Sequence, residues 1–170
     1  RGTDGRKPLS MLGTLRKIVQ EVNAAKDLKA ALGIIVLRVR AAMASHVCSV
    51  YLLDPESGRF VLMATEGLNK KAIGKVSMAP NEGLVGLVGT REEPLNLEHA
   101  CEHPRYRYFA ETGEERYASF LGAPIIHHRR VMGVLVIQQR EQRLFDEGEE
   151  AFLVTMSAQL AGVIAHAEAT

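Results

Sequence analysis

Glycines at 83, 86 and 89 punctuate the stretch Asn81-Glu-Gly-Leu-Val-Gly-Leu-Val-Gly-Thr90, and a glycine-rich turn opening a helix is one way to cradle a phosphate. A Walker-type loop, however, needs a Lys-Ser/Thr pair after its last glycine, and a dinucleotide fingerprint needs Gly-x-Gly-x-x-Gly after a strand. Neither pattern occurs here. Glycines three apart on a helix form a small-residue ridge, so the stretch reads as a short helix packed closely on its neighbour. The chemistry that remains lies at its start. Asn81 is placed to cap, and the free N–H groups of the first turn, around Glu82 and Gly83, attract an acidic ligand group.

Other chemistry-bearing residues are more ambiguous. His127-His128-Arg129-Arg130 pairs two histidines, but neighbours on a strand point to opposite faces and no third ligand stands at a zinc-like spacing. An exposed hairpin tip is the reading. Cys48 in a strand and Cys101 near His103 in a loop read as one buried core thiol and one loop thiol. A cysteine-dependent redox enzyme remains an outlying alternative. Arg105-Tyr-Arg-Tyr108 either holds an anion through its guanidinium groups or is a solvated segment whose aromatics pin a lid; both stay open. Ser49 and Tyr51 share one face of their strand, so if the aliphatic face meets the helices, the Ser/Tyr face lines a cleft. Sequence order alone reveals no Ser/His/Asp group, Cys/His nucleophile pair or supported carboxylate pair, which weakens an enzymatic reading.

The elements that must position these residues follow from periodicity. Apolar residues at 11, 12, 15, 18, 19 and 22 predict a helix capped by Ser10, and Leu28, Leu32, Ile35, Val36, Val39 and Met43 predict a second capped by Asp27. Val47–Leu53, the turn 54–58 and residues 59–65 predict a hairpin. Short extended pieces are expected near 74–78 and 94–97. The polar stretch Glu98–Ala118 has no sustained period and reads as a long functional loop. Residues 119–126 and 131–137 predict a second hairpin, whose last strand is apolar on both faces and therefore central. Asp146 and Glu149 form a capping-box pair before a helix with Phe152, Leu153, Met156, Leu160, Val163 and Ile164 on its apolar face. The order predicts an α+β domain: a central antiparallel sheet, its N- and C-terminal helices on one face, a loop-covered ligand cleft on the other.

Bulk properties fit that outline. At 170 residues, 46% hydrophobic and 24% charged, the chain reads as one globular domain. Twenty-one basic residues against 20 acidic ones leave no electrostatic footprint for nucleic acid or an anionic membrane. Two cysteines are too few for a disulfide framework, and the N-terminal residues lack a signal-peptide pattern, which predicts a cytoplasmic location. Val131–Ile137, the longest apolar run outside the helical patterns, falls well short of the roughly 20 residues a bilayer requires. Residues 1–10 are patternless and read as linker or appended sequence, leaving 11–170 as the domain.

Several motifs together resemble a GAF domain: Cys48-Ser-Val-Tyr-Leu-Leu-Asp54, Glu82-Gly-Leu-Val-Gly86, Pro94-Leu-Asn-Leu97, His103-Pro-Arg105, Phe120-Leu-Gly-Ala-Pro-Ile125 and Gly133-Val-Leu135. The resemblance runs from about Met11 to the C-terminus. More narrowly, residues 82–89, 120–126 and 133–140 resemble the N-terminal sensory GAF domain of the nitrogen-type phosphoenolpyruvate-protein phosphotransferases. That resemblance implies a regulatory, metabolite-sensing role, with glutamine and 2-oxoglutarate as candidate signals. It also implies C-terminal phosphotransferase domains as partners and phosphoryl transfer carried out there.

Other ligand classes of the family fit poorly. Cyclic-nucleotide relatives carry Asn-Lys…Phe…Asp, whereas Gln139-Arg140 precede Phe145 and Asp146 here. Bilin relatives attach chromophore at a Cys-His pair, but Cys101 is followed by Glu102, and relatives that reduce free methionine sulfoxide use a set of loop cysteines. The candidate ligand-binding set is Ser49, Tyr51, Glu82, Gly83, Asn96, Arg105, Tyr106 and Phe120; no metal, cofactor or catalytic residue is assigned. The alternative is a ligand-free interaction module of another nitrogen regulator, a homodimer through its terminal helices.

Overall fold

The computed structural model describes residues 2–112 and 117–169, with side chains from residue 11 onward. Helices α1 (Gly2–Asn23) and α2 (Leu28–Ala42) come first. Then follow β1 (Val47–Leu53), β2 (Phe60–Glu66), β3 (Ser77–Met78), α3 (Gly83–Arg91) and β4 (Leu95–Leu97). The chain closes with β5 (Ser119–His127), β6 (Arg130–Gln139) and α4 (Glu147–Ala169). Single 3-10 turns at Lys70–Ala72, Ala100–Glu102 and Ala110–Thr112 punctuate the loops.

The six strands form one sheet in the order β3-β2-β1-β6-β5-β4, and every neighbouring pair whose register is resolved is antiparallel. β6 is central, as its two-faced apolar sequence requires: Val134, Leu135, Val136 and Ile137 are all almost completely buried. Each such side chain contributes about 1.5–3 kcal/mol relative to exposure.

Strand alternation divides the interior into two cores. Cys48, Val50, Leu121, Ile125, Leu135 and Ile137 face the layer built from α1, α2 and α4. Val47, Tyr51, Phe60, Leu62, Phe120, Val134 and Val136 face the opposite side, roofed by α3 and the loop segments. In β2 the alternation is reset by a bulge: Val50 pairs with Ala64 and Tyr51 with Leu62, leaving Met63 unpaired and exposed. Leu62 and Thr65 can therefore both point to the cleft side.

Asp27 caps α2 by accepting a hydrogen bond from the Ala30 N–H at 2.8 Å. Asp146 and Glu149 form the expected capping box, the Asp146 N–H donating to Glu149 Oε1 at 2.9 Å and the Glu149 N–H to Asp146 Oδ1 at 2.8 Å. α4 is long and apolar enough, by length and composition alone, to cross a membrane. Its apolar face is nevertheless part of the core, through Leu153, Met156, Leu160 and Ile164.

Three local expectations are corrected. Ser10 does not cap α1, because the helix starts at Gly2; the side chains of residues 1–10, read as linker, lie outside the described residues. Asn81 does not cap α3. It takes a left-handed φ of 68° and the N-cap is Glu82, which makes no side-chain cap bond. His127 and His128 do not point apart: His128 and Arg129 form a two-residue turn with φ of 49° and 66°, which leaves the imidazoles stacked at 3.9 Å.

Candidate functional site

The glycine ridge positions the site. A Cβ at Gly89 would lie 2.3 Å from the Phe60 ring, and one at Gly86 would lie 2.4 Å from the Ala79 carbonyl oxygen. α3 therefore sits closer to the sheet at Gly89, and to the turn that precedes it at Gly86, than side chains would allow. Gly83, at φ 65°, turns the chain into the helix, and a Cβ there would meet Met78 Sδ at 2.6 Å.

Between α3 and the sheet lies a narrow cleft of about 40 Å³, lined by Tyr51, Met78, Leu84, Val85, Tyr106, Arg107, Phe109, Phe120, Val136 and Gln138. A volume of that size holds a water or two; a drug-sized ligand pocket is on the order of 300–1,000 Å³. The roof comes from the segment after β4. Leu97, Ala100, Tyr106, Phe109 and Tyr117 belong to or pack on the cleft-side core, so residues 98–112 lie over the cleft as a strap.

Charged groups fasten that strap to the start of α3. Arg105 Nη1 donates to the Asn81 carbonyl at 2.6 Å. Arg107, whose guanidinium lies 4.7 Å from the Phe109 ring centroid, forms an ion pair with Glu82. Glu82 also accepts from the Ala79 N–H at 2.7 Å and from Arg59 Nη2 at 3.4 Å. Arg59 is braced from β3 in turn, donating to Ser77 Oγ at 2.7 Å and to the Ser77 carbonyl at 3.2 Å. One carboxylate thus joins the sheet edge, α3 and the strap.

The predicted residues fall into three groups. Tyr51, Tyr106 and Phe120 line the cleft, and Glu82, Gly83 and Arg105 stand at its mouth. Ser49 is on the expected face but fully buried, its hydroxyl 2.9 Å from that of Thr65, and it does not reach the cleft lining. Asn96 is on the wrong side. It pairs with Leu121, a residue of the helix-side core, and its amide bonds to Phe145. Residues 113–116 of the expected loop lie outside the described residues.

Sequence reasoning missed Met78, Leu84, Val85, Arg107, Phe109, Val136 and Gln138 as lining. Val136 and Gln138 carried a usable signal, since each alternates with helix-facing neighbours on β6 and Gln138 pairs with Phe120. Cys48 and Cys101 are not brought together. Cys48 is buried in the helix-side core, where burial pushes its thiol pKa up, while Cys101 is exposed in the loop. Among the described residues no group of three His, Cys, Asp or Glu side chains could hold a metal ion. The cleft has aromatic walls, one glutamine and a guanidinium-carboxylate pair at its mouth.

The family model described as GAF domain matches residues 27–164. The chain belongs to the GAF domain family. Among solved structures, it resembles the GAF domain from a phosphoenolpyruvate-protein phosphotransferase of Coxiella burnetii, with 51% identity, TM-score 0.91 and coverage of 95% of this chain and 96% of that one. A GAF domain from the Acinetobacter phosphoenolpyruvate-protein phosphotransferase is also 51% identical, with TM-score 0.86 and coverage of 94% and 96%. The Escherichia coli protein described as phosphoenolpyruvate-dependent phosphotransferase system is 48% identical over 160 residues. That match takes in 94% of this chain but 21% of the relative, so the GAF domain spans about a fifth of the curated protein it matches. A free methionine-R-sulfoxide reductase from Neisseria meningitidis shares the GAF fold at TM-score 0.82 but only 19% identity.

Proposed function

We propose that this GAF domain is the regulatory, small-molecule-sensing unit of a phosphoenolpyruvate-protein phosphotransferase of the nitrogen phosphotransferase system. On this reading it acts in the cytoplasm and modulates phosphoryl transfer performed by domains outside this chain, its C-terminal partners. The similarity to GAF domains of such phosphotransferases supports the parent enzyme. The observation that carries the sensing role is the strap, fastened to the start of α3 through Arg105–Asn81 and Arg107–Glu82, over an aromatic cleft of about 40 Å³.

A cleft that small does not hold glutamine or 2-oxoglutarate, the two candidate signals, so binding must displace the strap. The strap leaves β4, and β4 is tied to the residue before the α4 cap through Asn96 and Phe145. Ligand binding that favours a displaced strap would then bias α4, the element leading out of the domain. Calorimetric titration with glutamine and 2-oxoglutarate tests the reading. Saturable binding of either supports it, and silence from both at millimolar concentration removes it.

A second reading is favoured by one observation, the outer face of α4. Ala151, Val154, Ala158 and Gly162 are exposed there, giving a helix face with little charge. In this reading the domain is a ligand-free interaction module, dimerising through α1 and α4. Sedimentation separates the two, because a dimer indifferent to metabolites supports the second.

A further inference from the structure

Glu82 is an unusual N-cap. Preferred caps are Ser, Thr, Asp and Asn, whose short side chains reach back to the first-turn N–H groups. Glu82 makes no such bond; its longer side chain carries the carboxylate away from α3 and onto the Ala79 N–H, Arg59 and Arg107. Two guanidinium groups and a backbone N–H converging on one carboxylate are the donor set that recognises a carboxylate ligand.

The two arginines differ in how they are held. Arg59 is braced by Ser77 independently of Glu82. Arg107 belongs to the strap, is half exposed and contributes to the cleft wall with Tyr106 and Phe109. The seat therefore has a fixed half and a movable half. Two guanidinium groups thus share this one carboxylate, while Arg105 is held on the neighbouring Asn81 carbonyl, so the pair keeps a positive surplus that a second anion can neutralise.

We infer that Glu82 is an internal occupant of an anion seat, and that the cleft takes a small ligand bearing a carboxylate, which displaces the Glu82 side chain from Arg107. This rests on the sensing reading and names its ligand class. Displacement breaks one of the two ties between strap and α3 and leaves Arg105 on the Asn81 carbonyl, so the strap loosens around Arg107 as the ligand arrives. The ligand body then meets Tyr51, Phe120 and Gln138 within the cleft. Glu82 competes with the ligand, so its neutralisation strengthens binding.

The test titrates glutarate and its neutral isostere glutaramide into the chain and into two variants. Glu82→Gln keeps an acceptor for the Ala79 N–H and removes the competing charge, so glutarate should bind about tenfold tighter while glutaramide gains nothing. Arg107→Met, at a half-exposed position, should lose glutarate binding while its circular dichroism stays that of the folded chain. Equal or weaker glutarate binding by Glu82→Gln, or undiminished binding by Arg107→Met, overturns the inference. If the unaltered chain still binds glutamine or 2-oxoglutarate in that case, sensing survives and only the exchange fails. If no form binds any carboxylate, both fail.

Discussion

Asn96 and Phe145, 49 residues apart, hold each other by two hydrogen bonds: Asn96 Nδ2 donates to the Phe145 carbonyl at 2.8 Å, and the Phe145 N–H donates to Asn96 Oδ1 at 3.3 Å. The amide thus extends the edge of the sheet by one strand-like partner, binding β4 to the residue before the α4 cap. Its flanking neighbours Leu95 and Leu97 pack on the cleft-side core. A three-residue strand therefore has one face in the cleft-side core and the other on the C-terminal helix. Asn96→Ala removes both bonds and leaves a half-buried backbone pair to find other partners, at a cost of about 1–3 kcal/mol. Asn96→Asp keeps the acceptor for the Phe145 N–H but turns a carboxylate oxygen toward the Phe145 carbonyl and the Glu150 carboxylate, so urea unfolding should show it no more stable than Asn96→Ala.

The glycine ridge gives a second prediction. Gly89→Ala would force a methyl group to 2.3 Å from the Phe60 ring, and overpacking of this kind costs about 1–3 kcal/mol. The obstacle is a side chain, so adding Phe60→Leu should recover part of the loss. Gly86→Ala meets the Ala79 backbone carbonyl and the Asn81 backbone instead. No side-chain substitution should rescue it, and a rescue by Phe60→Leu would sink this account of α3 packing. Thermal melts of the three single variants and of the Gly89→Ala/Phe60→Leu and Gly86→Ala/Phe60→Leu double variants distinguish the cases.

Much of the framework was legible because periodicity is local. The bounds of β1, the central place of β6, the Asp27 cap and the Asp146–Glu149 box all follow from residues within a few positions of one another. The site was harder, because its geometry is set by distant partners. Asn96 looked like a cleft residue because its three-residue strand is too short for alternation to declare a face; pairing with Leu121, across the hairpin, decides it. Glu82 was marked for the helix start, but its partners Arg59 and Arg107 come from β2's leading turn and from the strap. Of the basic pair in Arg105-Tyr-Arg-Tyr108, sequence singled out Arg105, and the cleft wall uses Arg107. Asn81 was read as a cap because asparagine favours both the N-cap and the left-handed turn position, and residue type alone does not separate the two; here it takes the turn, at φ 68°.

The two thiols should differ sharply in reactivity. Cys101 is exposed, with Sγ 3.6 Å from the Tyr117 carbonyl oxygen. Cys48 is fully buried, and desolvation raises its thiol pKa above the ordinary value of 9.0. Labelling the native chain with iodoacetamide at pH 8 should therefore modify Cys101 alone, with Cys48 reacting only in denaturant. The sign of the pH effect follows from the same shift. Above about pH 9 the unfolded chain releases the Cys48 proton and the folded chain retains it, so the unfolded state binds fewer protons and stability falls as pH rises. The limiting slope for one such thiol is about 1.4 kcal/mol per pH unit. Replacing Cys48 by Ala should flatten that alkaline slope, and an unchanged slope would assign it to other groups.

The outer face of α4 can be tested independently of any ligand. Val154 is 40% exposed, and Leu12 of α1 is 52% exposed; an exposed apolar side chain alone is ordinary. On α4, however, Val154 is flanked at helical spacing by exposed Ala151, Ala158 and Gly162, which would let a second helix approach closely. The core face, through Leu153, Met156 and Leu160, is spent inside the domain, so a charge at 154 leaves the fold intact. Val154→Lys should change the melting temperature of a monomer little, since surface substitutions are typically within about 0.5 kcal/mol. If the chain dimerises through this face, the same substitution places two like charges in an apolar contact and shifts sedimentation to the monomer. A dimer that persists in Val154→Lys would locate the interface elsewhere, and a wild-type chain that sediments as a monomer at high concentration would remove the interaction reading altogether.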